Sequence, residues 1–497
     1  NGSYSGPIQI NAGTIIAGNG TTPLGTLSAT VTNSAALDVN GKNLGGLAIT
    51  VSGSGPTGAG ALVNNGGPQN SSLTSTANAL QNVTMAGDTT IGGTGPFNTD
   101  TIQNVGYFAI TGTLNTGGSN YNLVKVGLNQ ISIIGANVDS ALGNIDVQQG
   151  MLTFESGTTS MGNPASNVTV RAGAILAFYD TTTPWDKNFI LFGDGTTPNL
   201  WNYNGSHTII GAVTLNGNCV FGGAPLGRGA PVSMTFNGPI GGPGALIKSI
   251  DTNIVVLAGT NDYMGTTTIN GGGLLVDGIG STNNITVAGG MFGGLGFVRG
   301  AVTVQSGGTL SPGDLVNATG TLSISNSLAL SGTTAMDVAK FGTAFTTDLI
   351  TNVTSLTFGG TLLLTVTGDP LAAGDAIKLF SFNTASGSFT AFNPPTPGDG
   401  LVWDTSTLRT DGNIRVSVAP PAQPQFSSIA LSGNQLVING TNGTTSGTYY
   451  VLASTNVALP LSSWTPVRTD AFVNGNFSFT NTLDPNLTRQ FYIIQMP

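Results

Sequence analysis

Three stretches set the architecture: Gly271-Gly272-Gly273-Leu274, Gly289-Gly290-Met291-Phe292 and Gly307-Gly308-Thr309-Leu310. The glycine pairs recur every 18 residues, and each is followed two positions on by Leu274, Phe292 or Leu310. Ahead of them stand Thr268-Ile269, Thr286-Val287 and Thr303-Val304, the last one residue out of register. A looser version runs from Val147 through Gly150-Met151-Leu152-Thr153-Phe154 to Val168-Thr169-Val170 and Gly173-Ala174-Ile175-Leu176, a step of about 23. Short apolar runs with one turn per 18–23 residues are the signature of a stacked solenoid. One unit cannot cover its own apolar side, but stacked units form parallel ladders and ranks of inward Val, Ile and Leu. Glycine falls where the chain bends with positive φ, and Asn and Asp serve the turns. Leu274, Phe292 and Leu310 are expected to form one inward rank.

Composition agrees with this reading. The chain has 497 residues, of which 75 are Gly, and only 7% are charged, against about 25% in an ordinary domain. Of its 22 acids, 21 are Asp and one is Glu155, a bias toward turns and away from helices. Collagen lacks support, because glycine does not recur at every third position. No apolar run approaches the roughly 20 residues of a membrane helix, so no membrane span is expected. The net charge of −9 and the lack of a basic patch oppose nucleic acid. No amino-terminal signal pattern is visible, so the chain is either cytosolic or already processed at Asn1, and the composition favours a secreted mature chain.

From Gly242 the sequence reads Gly242-Pro243-Gly244-Ala245-Leu246-Ile247-Lys248, then Val255-Val256-Leu257-Ala258-Gly259-Thr260-Asn261, Tyr263, Gly265-Thr266-Thr267-Thr268-Ile269-Asn270 and Gly273-Leu274-Leu275-Val276-Asp277. This resembles the autotransporter-associated β-strand repeat. Gly307-Gly308-Thr309-Leu310-Ser311-Pro312-Gly313 and residues 320–418, with Leu401-Val402-Trp403-Asp404, are similar to the region that closes such arrays. Weaker similarity reaches Gly13-Thr14-Ile15-Ile16. The resemblance implies a right-handed parallel β-helix over residues 1–419, on an exported, usually bacterial, surface or secreted protein. It implies no particular activity.

A proline linker, residues 420–424, precedes residues 425–497, and no carboxy-terminal membrane barrel is read there. The last segment alternates as a small immunoglobulin- or fibronectin-like β-sandwich. It is similar to the terminal modules of large secreted repeat proteins, with Tyr449-Tyr450, Trp464 and Phe491-Tyr492 at core positions. The fold class is therefore all-β: a right-handed parallel β-helix followed by a small sandwich.

Chemistry is sparse. A lone His207, Cys219 and Glu155 build neither a triad nor a zinc site by common routes. His207 and Glu155 read as solvated turn residues, and Cys219 as an inert core thiol, with an intermolecular disulfide as the alternative. Asp262, Asp277 and Asp314 are the candidates for carboxylates stacked by the repeat, though solvated turns account for them as well. Gly53-Ser54-Gly55-Pro56-Thr57-Gly58 satisfies a dinucleotide string but lacks a strand–helix context, so it is discarded. No catalytic residue, cofactor or metal is expected. Aromatics concentrate between Phe178 and Tyr203; Tyr179, Trp185, Trp201 and Tyr203 form a candidate sugar- or partner-stacking surface, against packing over an irregular coil. Trp403 and Trp464 are assigned to closing layers.

The expected function is a non-enzymatic extracellular structural protein. It would polymerise head to tail with identical subunits through strand edges at its ends, with Tyr4, Ile8, Ile10, Tyr449, Tyr450, Phe491 and Tyr492 as candidate contacts. The alternatives are a glycan-binding or polysaccharide-degrading β-helix, with surface glycans as partners, and a monomeric adhesin stalk.

Overall fold

A computed structural model describes all residues except 1–3, 21–22, 70–75, 97–105, 224–231, 317–318, 421–422 and 497. The chain forms two compact units, residues 1–398 with 403–416, and residues 399–402 with 417–497. Among the described residues it is nearly all β. Helix is confined to Leu408–Asp411 and the 3-10 turn Leu461–Ser463. Pro421 and Ala422 of the expected linker lie outside the described residues.

The first unit is dominated by parallel pairing. Thr267 lies opposite Ile285, which lies opposite Val302, which lies opposite Leu328. In a second sheet Val255, Leu274, Phe292 and Leu310 stand in register, and each is 3% exposed or less. The rank expected from the glycine pairs is present. β-Branched residues fit these half-buried pleats, and burial alternates along strands such as Ile285–Val287 and Thr321–Ile324. The step between partners is not constant. It is 18 residues from Leu274 to Phe292, 24 from Gly150 to Ala174 and 30 from Thr361 to Ala391, because longer turns are inserted between strands.

The glycine pairs act in two ways. Gly272 and Gly290 have φ of 58° and 65°, which an L side chain adopts only with strain. At Gly290 a Cβ would also lie 2.6 Å from the carbonyl oxygen of Gly272. The first strand, Ile8–Ile10, pairs in parallel with Ser28–Val31. Ile10 is 3% exposed and belongs to the core, so it is withdrawn as a subunit contact. Ile8 packs partly against the same core, while Tyr4 is exposed and its hydroxyl donates to the Pro7 carbonyl oxygen.

Toward residue 416 antiparallel pairing appears, between Thr333–Phe341 and Ala344–Thr347 and between Ala376–Lys378 and Asn413–Arg415. Phe358, Phe380 and Phe389 pack edge-on or tilted there, with ring centroids 5.2–6.3 Å apart. Trp403 lies against Phe392 and donates to the Pro395 carbonyl oxygen.

The second unit holds two three-stranded antiparallel sheets. One contains Gln425–Ser432, Gln435–Thr441 and Phe477–Thr482; the other contains Thr465–Ala471, Thr448–Ser454 and Phe491–Gln495. Between them lie Ile438, Tyr449, Val451, Phe472, Phe477 and Phe479. Tyr449 is 1% exposed and its hydroxyl donates to the Ser478 carbonyl oxygen, so it is a core residue and not a subunit contact. Tyr450, Phe491 and Tyr492 are half-buried.

Candidate functional site

Chemistry-bearing side chains gather on the strands Gln130–Ile134, Gly150–Glu155, Ala174–Tyr179 and Asn188–Asn204. Parallel register places Ile133, Phe154 and Phe178 in one rank and Ile134, Glu155 and Tyr179 in the next. Successive strand residues point to opposite faces, so the first rank enters the core and the second leaves it. A bulge after Phe178 shifts the register, so that Phe178 pairs with Asn202 and Tyr179 with Asn204. The Tyr203 ring meets Tyr179 at 6.0 Å, and Trp201 follows Ala177 in the neighbouring rank. Tyr179, Trp201 and Tyr203 are half-buried, and the Trp201 indole N–H is enclosed without a hydrogen-bond partner.

Trp185 does not join them. It is 1% exposed, 5.5 Å from Phe154 and 5.7 Å from Phe178, and belongs to the core. The rank of inward aromatics made room for the indole, so the candidate surface loses this member. His207 is likewise interior rather than a surface turn residue, at 2% exposure. Its Nε2 meets the Asn204 carbonyl oxygen at 2.7 Å and must carry the proton, because a carbonyl only accepts; Nδ1 then accepts from the Thr181 hydroxyl at 2.7 Å. Burial holds the imidazole below its usual pKa.

Glu155 departs most from expectation. It is 2% exposed, and its Oε2 has no hydrogen-bond partner. Burial pushes its carboxyl up to about 8; a hydrogen bond with Ser132 opposes this and the charge of Asp180 adds to it. Ser132 also hydrogen-bonds Tyr107 and accepts from Gln130 Nε2 at 3.2 Å. At neutral pH the carboxyl is therefore mostly protonated. Asp180 is exposed, and its Oδ1 accepts from Asn204 Nδ2 at 2.9 Å. Glycosidic cleavage uses two carboxyl groups about 5–10 Å apart flanking the bond. Here one of the two is enclosed and does not meet a polymer from solvent.

The other sequence candidates are more ordinary. Cys219 is buried and free, and burial raises its thiol to about 11, as an inert core residue requires. Asp277 accepts from the Leu295 N–H; burial raises its pKa and the neighbouring charge of Asp314 adds to it. Asp262 is not brought into that pair. Among the described residues no group of three or more His, Cys, Asp or Glu is placed to hold a metal.

The sequence did not reveal the buried lysines. Lys125, Lys187 and Lys248 are fully enclosed. Lys125 Nζ donates to the carbonyl oxygens of Val126, Gly127 and Gln149, and Lys187 Nζ to those of Leu142, Gly143 and Asn163. Burial lowers Lys125 to about 7 and Lys187 to about 8. Lys248 Nζ meets Asp251 Oδ1 at 2.6 Å. These ammonium groups gather carbonyls left over at turns, where the parallel ladder ends.

The chain is similar to the adhesin BmaC autotransporter of Brucella suis biovar 1, with 41% identity over 91 residues. That stretch is 18% of this chain and 3% of the adhesin, so the chain spans a small part of that protein's length. No protein-family profile matches the chain. No solved structure matches it. Among the described residues no helix is long and apolar enough to cross a membrane.

Proposed function

We propose that this chain is a non-enzymatic, adhesin-like structural segment working outside the cell or at its surface. In this reading the parallel strands of residues 1–419 are a right-handed β-helix serving as a stalk, and residues 425–497 are an immunoglobulin- or fibronectin-like module joined by the 420–424 linker. The observation that carries it is the unbroken parallel register through Leu274, Phe292 and Leu310, whose side chains are fully buried in the core. The 91-residue likeness to an autotransporter adhesin supports an extracellular setting. The enclosure of Glu155, Trp185 and His207 weighs against a polysaccharide-cleaving site. Two measurements test the proposal. Purified chain should release no reducing ends from acidic or neutral polysaccharides, and beads coated with it should adhere to cells or matrix more than uncoated beads. Release of reducing ends, lost in Glu155→Gln, would replace the stalk by an enzyme.

Head-to-tail polymerisation is a second reading. Strand Ile8–Ile10 pairs with Ser28–Val31 on one side only among the described residues, leaving a row of backbone groups for another strand. Electron microscopy of concentrated material separates filaments from single stalks.

A further inference from the structure

Within the first unit, the inward rows of the parallel strands are covered level by level, as Leu274 is by Phe292 and Phe292 by Leu310. The strands Phe380–Gly387 and Ala391–Asn393 lie in parallel beside Leu349–Phe358 and Thr361–Gly368, and there the cover changes. It is made by Thr405, Ser406 and the short helix Leu408–Asp411. Leu408, 5% exposed, is the one large apolar side chain that this cover contributes. One side chain does not fill the space of a full row. A cavity of about 470 Å³ remains, with Phe358, Leu362 and Leu408 buried at its base and the half-buried rings of Phe389 and Phe392 on its walls. Pockets for small molecules fall in the range of about 300–1,000 Å³.

The mouth of this cavity is polar and carries charge of one sign. Ser388, Thr405 and Arg409 line it and are exposed, and among the described residues no carboxylate does. Arg409 has five N–H donors. One meets the Gly387 carbonyl oxygen at 3.3 Å, and among the described residues the side chain makes no ion pair. The acids nearest in sequence are engaged elsewhere: Asp411 pairs with Arg415, and Asp404 Oδ1 accepts from the Ser406 N–H. A guanidinium without a carboxylate partner stands out in a chain of net charge −9. Its planar fork matches a carboxylate in two-point contact. The base and walls select the rest of the ligand. A peptide would press amide groups against these apolar side chains at a desolvation cost, whereas a hydrocarbon tail carries no such groups.

We propose that this cavity binds a fatty acid of medium chain length, its tail against Phe358, Leu362 and Leu408 and its carboxylate on the Arg409 guanidinium, beside the hydroxyls of Ser388 and Thr405. The tail supplies the apolar contacts that an unfilled row lacks, and the guanidinium selects the anionic head. The site goes beyond the stalk reading above and does not depend on it.

Isothermal titration of the full chain with decanoate, kept below micelle-forming concentrations, tests it. The expected result is saturable binding of one decanoate per chain, with decylammonium, the same tail under the opposite charge, bound about tenfold or more weakly. Arg409→Gln should weaken decanoate by about tenfold or more. Because Arg409 is exposed, that variant should melt as the parent does. Ser388→Trp, which sets an indole in the mouth, should abolish binding, while Arg468→Gln, at an exposed cation of the other unit, should leave it unchanged. Absence of saturable binding, equal affinity for decylammonium, parental affinity in Arg409→Gln or Ser388→Trp, or tighter binding of acetyl-Leu-Leu with a free carboxylate would each overturn the proposal.

Discussion

Lys187 Nζ donates to the Gly143 carbonyl oxygen at 2.7 Å, across 44 residues of sequence. The same ammonium reaches the carbonyl oxygens of Leu142 and Asn163, so a single cation joins turns from different levels of the parallel stack. Lys187→Met keeps the stem but leaves three carbonyls without this donor. A loss of about 1–3 kcal/mol is expected, read as a lower denaturation midpoint. A midpoint equal to the parent's would show that water replaces the ammonium at no cost.

Glu155 gives a pH signature with a definite sign. Its carboxyl is raised from 4.5 to about 8 in the folded chain, so between these values the folded state holds a proton that the unfolded state has released. The Glu155 contribution to stability is greatest below pH 4.5, falls as pH rises and is fully lost above about 8. Lys125 acts in the opposite sense. Lowered from 10.5 to about 7, it makes the chain less stable below 7 and lets stability recover toward 10.5. Denaturant melts of Glu155→Gln and the parent across pH should therefore diverge from 4.5 to 8, with the variant gaining, by at most a few kcal/mol. A difference that does not vary with pH would refute the assignment.

Phe292 stands between Leu274 and Leu310 at 0% exposure. Phe292→Asp places an unpaired carboxylate inside the rank and should cost several kcal/mol, enough to lose cooperative melting of the first unit. Calorimetry would show the loss; an unchanged transition would mean the register is wrong.

Gly290→Ala tests the corner. Positive φ and the close Gly272 carbonyl together predict a loss of about 1–3 kcal/mol, whereas alanine usually stabilises where φ is negative and space is open. Thermal midpoints of Gly290→Ala and of Gly18→Ala, where no atom lies within 4 Å of the added Cβ, make the comparison internal.

The rank Leu274–Phe292–Leu310 was legible because glycine corners fix the register and period-two alternation fixes the face. The burial of Glu155, His207 and Trp185 was not. A three- to six-residue strand shows too few alternations to tell an inward polar residue from one at a turn, and the outer face of a sheet gives no local sign that it is enclosed. Tyr203 reached Tyr179 through a bulge, a one-residue slip that composition does not mark. The lysines failed for another reason. A cation in a weakly charged chain reads as solvated by water, yet carbonyls at stacked turns give it hydrogen-bond partners in the interior. Ile10 and Tyr449 read as candidate subunit contacts, and Tyr449 also as a core residue of the small module; both side chains face the core.

The enclosed lysines also bear on handling the protein. Of the six lysines, Lys125, Lys187, Lys248 and Lys340 are buried, leaving Lys42 and Lys378 with appreciable contact with solvent. A protease that cuts after lysine alone would find few openings in the native chain, and its digestion map should stay incomplete until the fold is lost. Among the lysines, amine-directed dyes and surface-coupling reagents would attach at those two positions. A heavily labelled preparation would consequently be an unfolded one, and labelling stoichiometry becomes a simple assay of whether a sample, or a matrix-bound layer of it, is native.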